Sequence, residues 1–243
     1  MRQQHPGPAA SEDPAFAASE DTAPPASEDP ASAARSAGEI ATRWASEDAG
    51  ARYRTQRFGS ARAAGRDPAL LARLLRNRPL GPEPILDAPS GSGRLTSSLL
   101  QLQRPVVGLD ISASMLTQLE GAPGVQGSAF ALPLADRSCS LVVCCRLLHH
   151  LASGQERAAL LAELARVTTR WIAISYWDAA SWHALRRRRG WRRGGHDHRV
   201  PIRAAELRGL AEQTGLQLVE RRFSMRFLSP QSWALLELRE AAP

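Results

Sequence analysis

The chain has 243 residues, of which 43% are hydrophobic and 23% are charged, as in a globular protein with one large core. This composition excludes collagen-like and fibrous proteins. The three cysteines fall within seven residues, Cys139 to Cys145, which gives neither a disulfide framework nor the spacing of zinc ligands. We therefore expect no metal site and a reducing, cytoplasmic location. No apolar run is long enough to span a bilayer, and the N-terminus lacks the apolar segment of a secretory signal.

The formal net charge of +7 is distributed unevenly along the chain. Residues 1–34 hold one arginine against six acidic residues, in an eight-residue repeat built on the letters ASED. Proline and small polar residues leave this segment little to bury, so we expect a disordered acidic tail. Residues 35–243 hold thirty arginines against eighteen acidic residues, and we expect them to form one domain. Their basic charge suits nucleic acid, an anionic lipid surface or an acidic small molecule, and does not choose among them.

Short apolar runs alternate with helical patterns over most of the basic part. The first helix is expected to start at Asp67, as N-cap, with Pro68 at the first helical position. This alternation predicts an α/β, Rossmann-like, doubly wound sheet of seven mostly parallel strands, and the last two strands, with no helix between them, predict an antiparallel C-terminal strand. The predicted strands are 84–88, 106–110, 125–128, 139–145, 171–176, 216–224 and 233–238, and the predicted helices after the first are 93–103, 112–120, 155–167 and 203–214.

A candidate ligand crevice follows the first predicted strand. Residues 85–95 read ILDAPSGSGRL, a buried strand, a glycine-containing turn and the start of a helix. Glycines let the backbone approach a ligand, and free amides at a helix N-terminus bind negative groups. The second strand ends in Asp110, where a carboxylate is placed to accept hydrogen bonds from both hydroxyls of a ribose; capping of the next helix is the alternative role.

Three stretches, in order, resemble the class I S-adenosylmethionine-dependent methyltransferases, in particular the methyltransferase-domain family that includes quinone-biosynthesis enzymes. They are ILDAPSGSGRL (85–95), VVGLDISASML (106–116) and GSAFALPLADRSCSLVVCCRLLHHL (127–151). The resemblance implies S-adenosylmethionine as cofactor. In two positions the chain departs from the family pattern, because Pro89 replaces the first glycine of the loop and Ser128 replaces an aspartate.

The resemblance also implies a role for each matching position. Residues of the first strand and turn would surround the methionine part, and Asp110 would hold the ribose. Ile111 and Met115 would pack on the adenine, and residues 128–130 would lie along its edge. Residues 145–146, at the end of the fourth strand, would close the pocket. The implied cofactor residues are Asp87, Ala88, Ser90, Gly91, Gly93, Asp110, Ile111, Met115, Ser128, Ala129, Phe130, Cys145 and Arg146.

Two histidine motifs are candidates for a catalytic base, which methyl transfer needs only when the acceptor loses a proton. His149 and His150 follow the fourth strand at the predicted mouth of the cleft, and imidazole accepts protons near neutral pH. A structural role for this pair is the alternative. The second motif, residues 196–198 (HDH), is equally compatible with an ordinary loop.

An arginine- and tryptophan-rich insertion spans residues 177–203, with eight arginines between 186 and 203. It follows the fifth strand at the ligand edge of the sheet, so we expect it to cap the acceptor cleft. Trp177, Arg186 and Arg189 are the candidate substrate-binding residues on this side, and Tyr53 and Arg57 on the opposite wall. The composition suits RNA, an anionic lipid head group, or a solvated basic helix.

Together these features predict an S-adenosylmethionine-dependent methyltransferase acting on a small-molecule or lipid-like acceptor. RNA is the second acceptor class. The rival hypothesis is a non-catalytic protein of the same fold that binds polyanions through its arginine-rich insertion.

Overall fold

The computed structural model describes residues 66–182, 184–185, 199–223 and 231–239. Several features predicted from the sequence lie outside these ranges: the acidic repeat at 1–34, Tyr53, Arg57, Arg186, Arg189 and residues 196–198.

The described chain alternates between strands and helices. The helices are α1 (Arg66–Leu75), α2 (Thr96–Leu100), α3 (Ala113–Leu116), α4 (Gly154–Val167) and α5 (Ala204–Gln213), with a short 3₁₀ turn at Leu148–His150. The strands are β1 (Ile85–Asp87), β2 (Val106–Asp110), β3 (Gly124–Gln126), β4 (Cys139–Cys144), β5 (Thr168–Trp177), β6 (Leu216–Phe223) and β7 (Gln231–Leu238).

The strands form one seven-stranded sheet in the order β3-β2-β1-β4-β5-β7-β6. The pairs from β3 to β5 are parallel, whereas β7 is antiparallel to both β5 and β6. The predicted α/β fold, with an antiparallel C-terminal strand, is therefore confirmed.

Hydrophobic side chains cover both faces of the sheet, because successive residues of a strand point to opposite sides. On β4, Val142 packs in one buried cluster with leucines of α4 and α5, while Leu141 and Val143 pack in a second cluster with leucines of α1. All six residues of β4 are buried. The central strands are thus fixed from both sides, and their carboxyl ends form a rigid edge.

Two helix starts differ in how their side chains are used. At α4 the Ser153 hydroxyl accepts a hydrogen bond from the Glu156 amide, and the Glu156 carboxylate accepts one from the Ser153 amide, forming a capping box. Asp67 is not the N-cap that the sequence predicts, because α1 already includes Arg66. Its buried carboxylate instead binds residues distant in the chain.

Within the described ranges, no helix has the length and apolar character needed to cross a membrane.

Candidate functional site

A cavity opens at the carboxyl ends of β1, β2 and β4, where the strand order reverses between β1 and β4. This is the position at which open α/β sheets bind ligands. Its volume is about 1060 Å³, including the space that continues into solvent. The lining residues are Asp87, Pro89, Ser90, Gly91, Ser92, Arg94, Leu95, Leu109, Asp110, Ile111, Met115, Gly127, Ser128, Ala129, Phe130, Cys145, Arg146, Leu147 and His150.

The turn after β1 forms one side of the cavity. The Ser90 amide donates to the Leu109 carbonyl at 2.8 Å, and the Gly93 amide donates to the Ser90 carbonyl at 3.2 Å. Gly91 and Gly93 have φ values of +56° and +83°, so the turn uses a backbone region in which glycine is favoured. Pro89 lies outside that region, as its ring requires. Because of these turns α2 starts only at Thr96, three residues later than predicted.

Asp110, at the end of β2, fastens this turn to the neighbouring strand. Its Oδ2 accepts a hydrogen bond of 2.8 Å from the Gly91 amide, and its Oδ1 accepts one of 2.9 Å from the Ser112 amide. Burial raises the pKa of the carboxyl, while these amide hydrogen bonds lower it. Each carboxylate oxygen has a second lone pair for a ligand. Asp110 therefore shapes the cavity wall as well as facing the cavity.

Asp87 is the most unusual ionisable group of the site. Its side chain is buried, and neither carboxylate oxygen has a hydrogen-bond partner within the part of the chain that the structure describes. Burial, followed by the negative charge of Asp110, raises the pKa of Asp87 to about 8, and the nearby Thr96 hydroxyl opposes this shift. A buried acceptor of this kind fits a ligand that brings a positive charge or hydrogen-bond donors.

The opposite wall is mostly apolar. Ile111, Met115, Ala129 and Phe130 line it, as does Ser128. The Ser128 hydroxyl accepts a hydrogen bond of 3.2 Å from the Phe130 amide, so it helps to shape this turn. Such a surface suits a flat aromatic group.

The end of β4 contributes a thiol and a guanidinium. Burial, followed by the nearby Asp67 carboxylate, raises the pKa of Cys145 to about 12, which keeps the thiol neutral and unreactive. The described residues contain no group of three or more His, Cys, Asp or Glu side chains suited to a metal ion.

The two neighbouring histidines have different environments. His150 lines the cavity, whereas His149 is buried behind it. The His149 ring lies 4.6 Å from that of His150 and stacks on Trp177 at 5.5 Å. The Arg199 guanidinium lies 4.0 Å from the centre of the Trp177 ring. His149 and Trp177 thus form a layer beneath the cavity wall.

The cavity wall differs from the predicted residue set in both directions. Ala88 and Gly93 lie in the turn but do not line the cavity; the Ala88 amide donates to the Val143 carbonyl at 2.9 Å, which holds this residue inside the sheet. Arg94, the penultimate residue of the first quoted motif, lines the cavity but is not among the predicted cofactor residues. The other lining residues absent from the prediction lie within two positions of predicted ones: Pro89, Ser92, Leu95, Leu109, Gly127 and Leu147.

Comparison with known proteins points to the same region of the chain. Residues 86–170 match a family model described as a methyltransferase domain. This stretch runs from the second residue of β1 through the whole of α4 into the start of β5, and it contains every residue that lines the cavity. No curated protein has a sequence that matches this chain.

Several solved structures share the fold at low sequence identity. Magnesium protoporphyrin IX methyltransferase from Synechocystis PCC 6803, crystallised with SAH, is 15% identical, with a TM-score of 0.66 over 84% of this chain and 99% of that one. A SAM-dependent methyltransferase from Methanosarcina mazei is 18% identical, with a TM-score of 0.58 over 69% and 98%. The methyltransferase CcbJ from Streptomyces caelestis is also 18% identical, with a TM-score of 0.58 over 75% and 97%.

The sheet order, the cavity at its switch point and the family match agree with one another. Residues 86–170 match the methyltransferase-domain model, and the described fold is that of the S-adenosylmethionine-dependent methyltransferases.

Proposed function

We propose that the protein is an S-adenosylmethionine-dependent methyltransferase acting on a small-molecule or lipid-like acceptor. The observation that carries the proposal is the cavity at the switch point, which places a buried carboxylate pair, Asp87 and Asp110, beside a glycine turn within the matched domain. The motif resemblance to quinone-biosynthesis enzymes favours a small acceptor.

The residues of the cavity fit the cofactor chemically. The unpartnered oxygens of Asp87 suit the cationic methionine part, and the Asp110 carboxylate suits the ribose hydroxyls. The apolar side formed by Ile111, Met115 and Phe130 suits the adenine ring. When bound, S-adenosylmethionine supplies an activated methyl group on a sulfonium.

The protein's own contribution to such a reaction is mainly alignment. Methyl transfer requires the acceptor atom in line with the sulfur–methyl bond, and positioning supplies most of the catalysis. His150 lines the cavity and is the residue we assign to take a proton from an acceptor that must lose one. His149, buried on Trp177, is assigned to hold His150 in place.

The acceptor is expected on the side of the insertion at 177–203. Where the chain returns from the insertion, the Val200 amide donates to the His149 carbonyl at 2.8 Å. The Ile202 amide likewise donates to the Trp177 carbonyl at 2.8 Å. These contacts attach both ends of the insertion next to the turn that carries His150. They support an acceptor site formed between the insertion and the cavity.

Isothermal titration of the purified protein with S-adenosylmethionine and S-adenosylhomocysteine, at low and moderate salt, tests the proposal. We expect micromolar binding that depends little on salt, since the contacts lie in a buried cavity. Glu212→Gln, a change of an exposed side chain on α5, is the matched control and should bind equally well. Absence of binding by a protein that still unfolds cooperatively would refute the proposal.

RNA is a second acceptor class, favoured by the eight arginines and interleaved tryptophans between 177 and 203. Binding to single-stranded RNA that weakens steeply with salt would support it. Methyl incorporation into RNA separates an RNA methyltransferase from a protein that only binds polyanions.

A further inference from the structure

Asp67 joins three distant parts of the chain through one buried carboxylate. It lies in the first turn of α1, outside the matched methyltransferase stretch. Its Oδ1 accepts a hydrogen bond of 3.1 Å from the indole of Trp233 on β7. Its Oδ2 receives two guanidiniums, with Nη2 of Arg146 at 3.0 Å and Nη2 of Arg94 at 3.2 Å.

Both arginines line the cavity, and the local backbone determines the position from which each side chain extends. Arg94 follows the glycine turn after β1. Arg146 is two residues beyond β4 and has a φ of 63°, a left-handed conformation that is uncommon for a residue with a side chain. The Arg146 amide donates to the Ser175 hydroxyl at 2.7 Å, which supports this conformation. The Arg146 backbone is therefore held by Ser175, and its guanidinium is held by Asp67.

Two guanidiniums sharing one carboxylate oxygen are held close to each other. Guanidinium groups are the preferred partners of carboxylate and phosphate, because their donors match the spacing of the two oxygens. Asp87 and Asp110 belong to the acidic part of the same cavity wall. The wall thus carries separate acidic and basic parts, as suits a ligand with both charges.

We propose that Asp67 is a positioning residue that holds Arg94 and Arg146 as one subsite for a carboxylate or phosphate group of the ligand in the cavity. The proposal rests on the proposed function for the identity of that ligand. Two sources supply such a group: the methionine carboxylate of the cofactor, or an acidic group of the acceptor.

Calorimetry with two nucleosides separates the sources. S-adenosylhomocysteine carries the amino-acid carboxylate, whereas 5′-methylthioadenosine lacks the whole amino-acid part. If the group belongs to the cofactor, Arg146→Gln and Arg94→Gln each weaken binding of S-adenosylhomocysteine about tenfold and leave 5′-methylthioadenosine unchanged. Asp67→Asn is expected to produce the same selective loss, because the arginines lose the carboxylate that positions them. Arg146→Lys, which keeps the charge, should restore part of the affinity.

If the group belongs to the acceptor, the same variants bind S-adenosylhomocysteine normally. Titration of inorganic phosphate and succinate onto the complex with S-adenosylhomocysteine then shows binding to the wild type that Arg146→Gln and Asp67→Asn lose. Arg170→Gln, which removes an exposed ion pair with Glu237, is the matched control and should change neither titration.

Two outcomes overturn the proposal. In one, the variants weaken the binding of S-adenosylhomocysteine and of 5′-methylthioadenosine by equal factors, as expected if Asp67 and the two arginines only stabilise the fold. In the other, the variants change neither the binding of the two nucleosides nor the binding of phosphate and succinate. If the wild type binds neither nucleoside, the proposed function fails, and phosphate binding by the wild type and Arg146→Gln still decides whether the arginine subsite exists.

Discussion

The Gly91 amide donates a hydrogen bond of 2.8 Å to Oδ2 of Asp110, which fastens the turn after β1 to the end of β2. The second oxygen of the same carboxylate accepts from the Ser112 amide at 2.9 Å, at the entrance to α3. One side chain therefore organises both loops that form this side of the cavity.

Asp110→Ala is expected to abolish measurable binding of S-adenosylmethionine and also to destabilise the fold. The substitution removes the partner of the buried Ser112 amide, at a cost of about 1–3 kcal/mol, and of the part-buried Gly91 amide, at a smaller cost. Asp110→Asn, which keeps one acceptor oxygen, should lie between the wild type and alanine in both properties. Calorimetry and thermal unfolding measure the two effects, and an unchanged affinity in Asp110→Ala would show that the ribose assignment is wrong.

The position of Asp110 at the cavity could be predicted from the sequence, and its attachment to Gly91 could not. The apolar run 106–110 gives β2 with its observed bounds, and parallel strands bring their carboxyl ends to one edge. Asp67 shows where sequence reasoning stops. A local rule assigned it to a helix cap, whereas its partner Arg146 is 79 residues away and its partner Trp233 is 166 residues away. Such pairings depend on packing of complete elements, which no local pattern reports.

Asp87 is expected to make the protein less stable as the pH rises from about 4 to about 8. Burial raises its pKa from 3.8 to about 8 in the folded state, so over this range the unfolded chain has lost a proton that the folded protein retains. The unfolded state binds fewer protons, and stability therefore falls with increasing pH and levels off above about 8.

Asp87→Asn removes this ionisation. Melting temperatures measured between pH 5 and pH 9 should fall less for the variant than for the wild type. Asp136→Asn replaces an exposed carboxylate and serves as the comparison, because its loss leaves the Asp87 contribution intact. If the melting temperatures of wild type and Asp87→Asn change with pH in parallel, the raised pKa of Asp87 is contradicted.

Gly91 and Gly93 are expected to respond differently to alanine. Both have positive φ, so either substitution introduces backbone strain of about 1 kcal/mol. A Cβ on Gly93 would come within 2.9 Å of the Leu119 side chain, whereas a Cβ on Gly91 meets no atom within 4 Å. Gly93→Ala should therefore lower the melting temperature more.

Gly91 lines the cavity and Gly93 does not, so the order reverses for ligand binding. Gly91→Ala adds a methyl group at the cavity wall, and it is expected to weaken the binding of S-adenosylhomocysteine more than Gly93→Ala does. Thermal unfolding and calorimetry on the two variants give the comparison, with wild type as reference. Equal effects of both variants on both properties would show that the two glycines serve only the turn.

Arg166, on α4, is expected to support the apolar wall of the cavity without contacting it. Its guanidinium donates to the carbonyls of Leu132 and Leu134, at 3.0 and 2.9 Å, and to the carboxylates of Asp136 and Glu163. The Glu163 carboxylate in turn accepts from the Leu132 amide at 2.6 Å. The segment held in this way, 132–136, is separated by one residue from Ser128–Phe130, which lines the cavity.

Arg166→Gln is expected to weaken the binding of S-adenosylhomocysteine and of 5′-methylthioadenosine several-fold and by equal factors. The reason is that the cavity wall supported by Arg166 faces the adenosine part, which both nucleosides contain. This pattern differs from the selective loss expected for Arg146→Gln. Arg170→Gln, which alters an exposed arginine four residues further along the chain, should leave both affinities unchanged. If Arg166→Gln lowers the melting temperature but neither affinity, the segment 132–136 stabilises the fold without positioning the cavity wall.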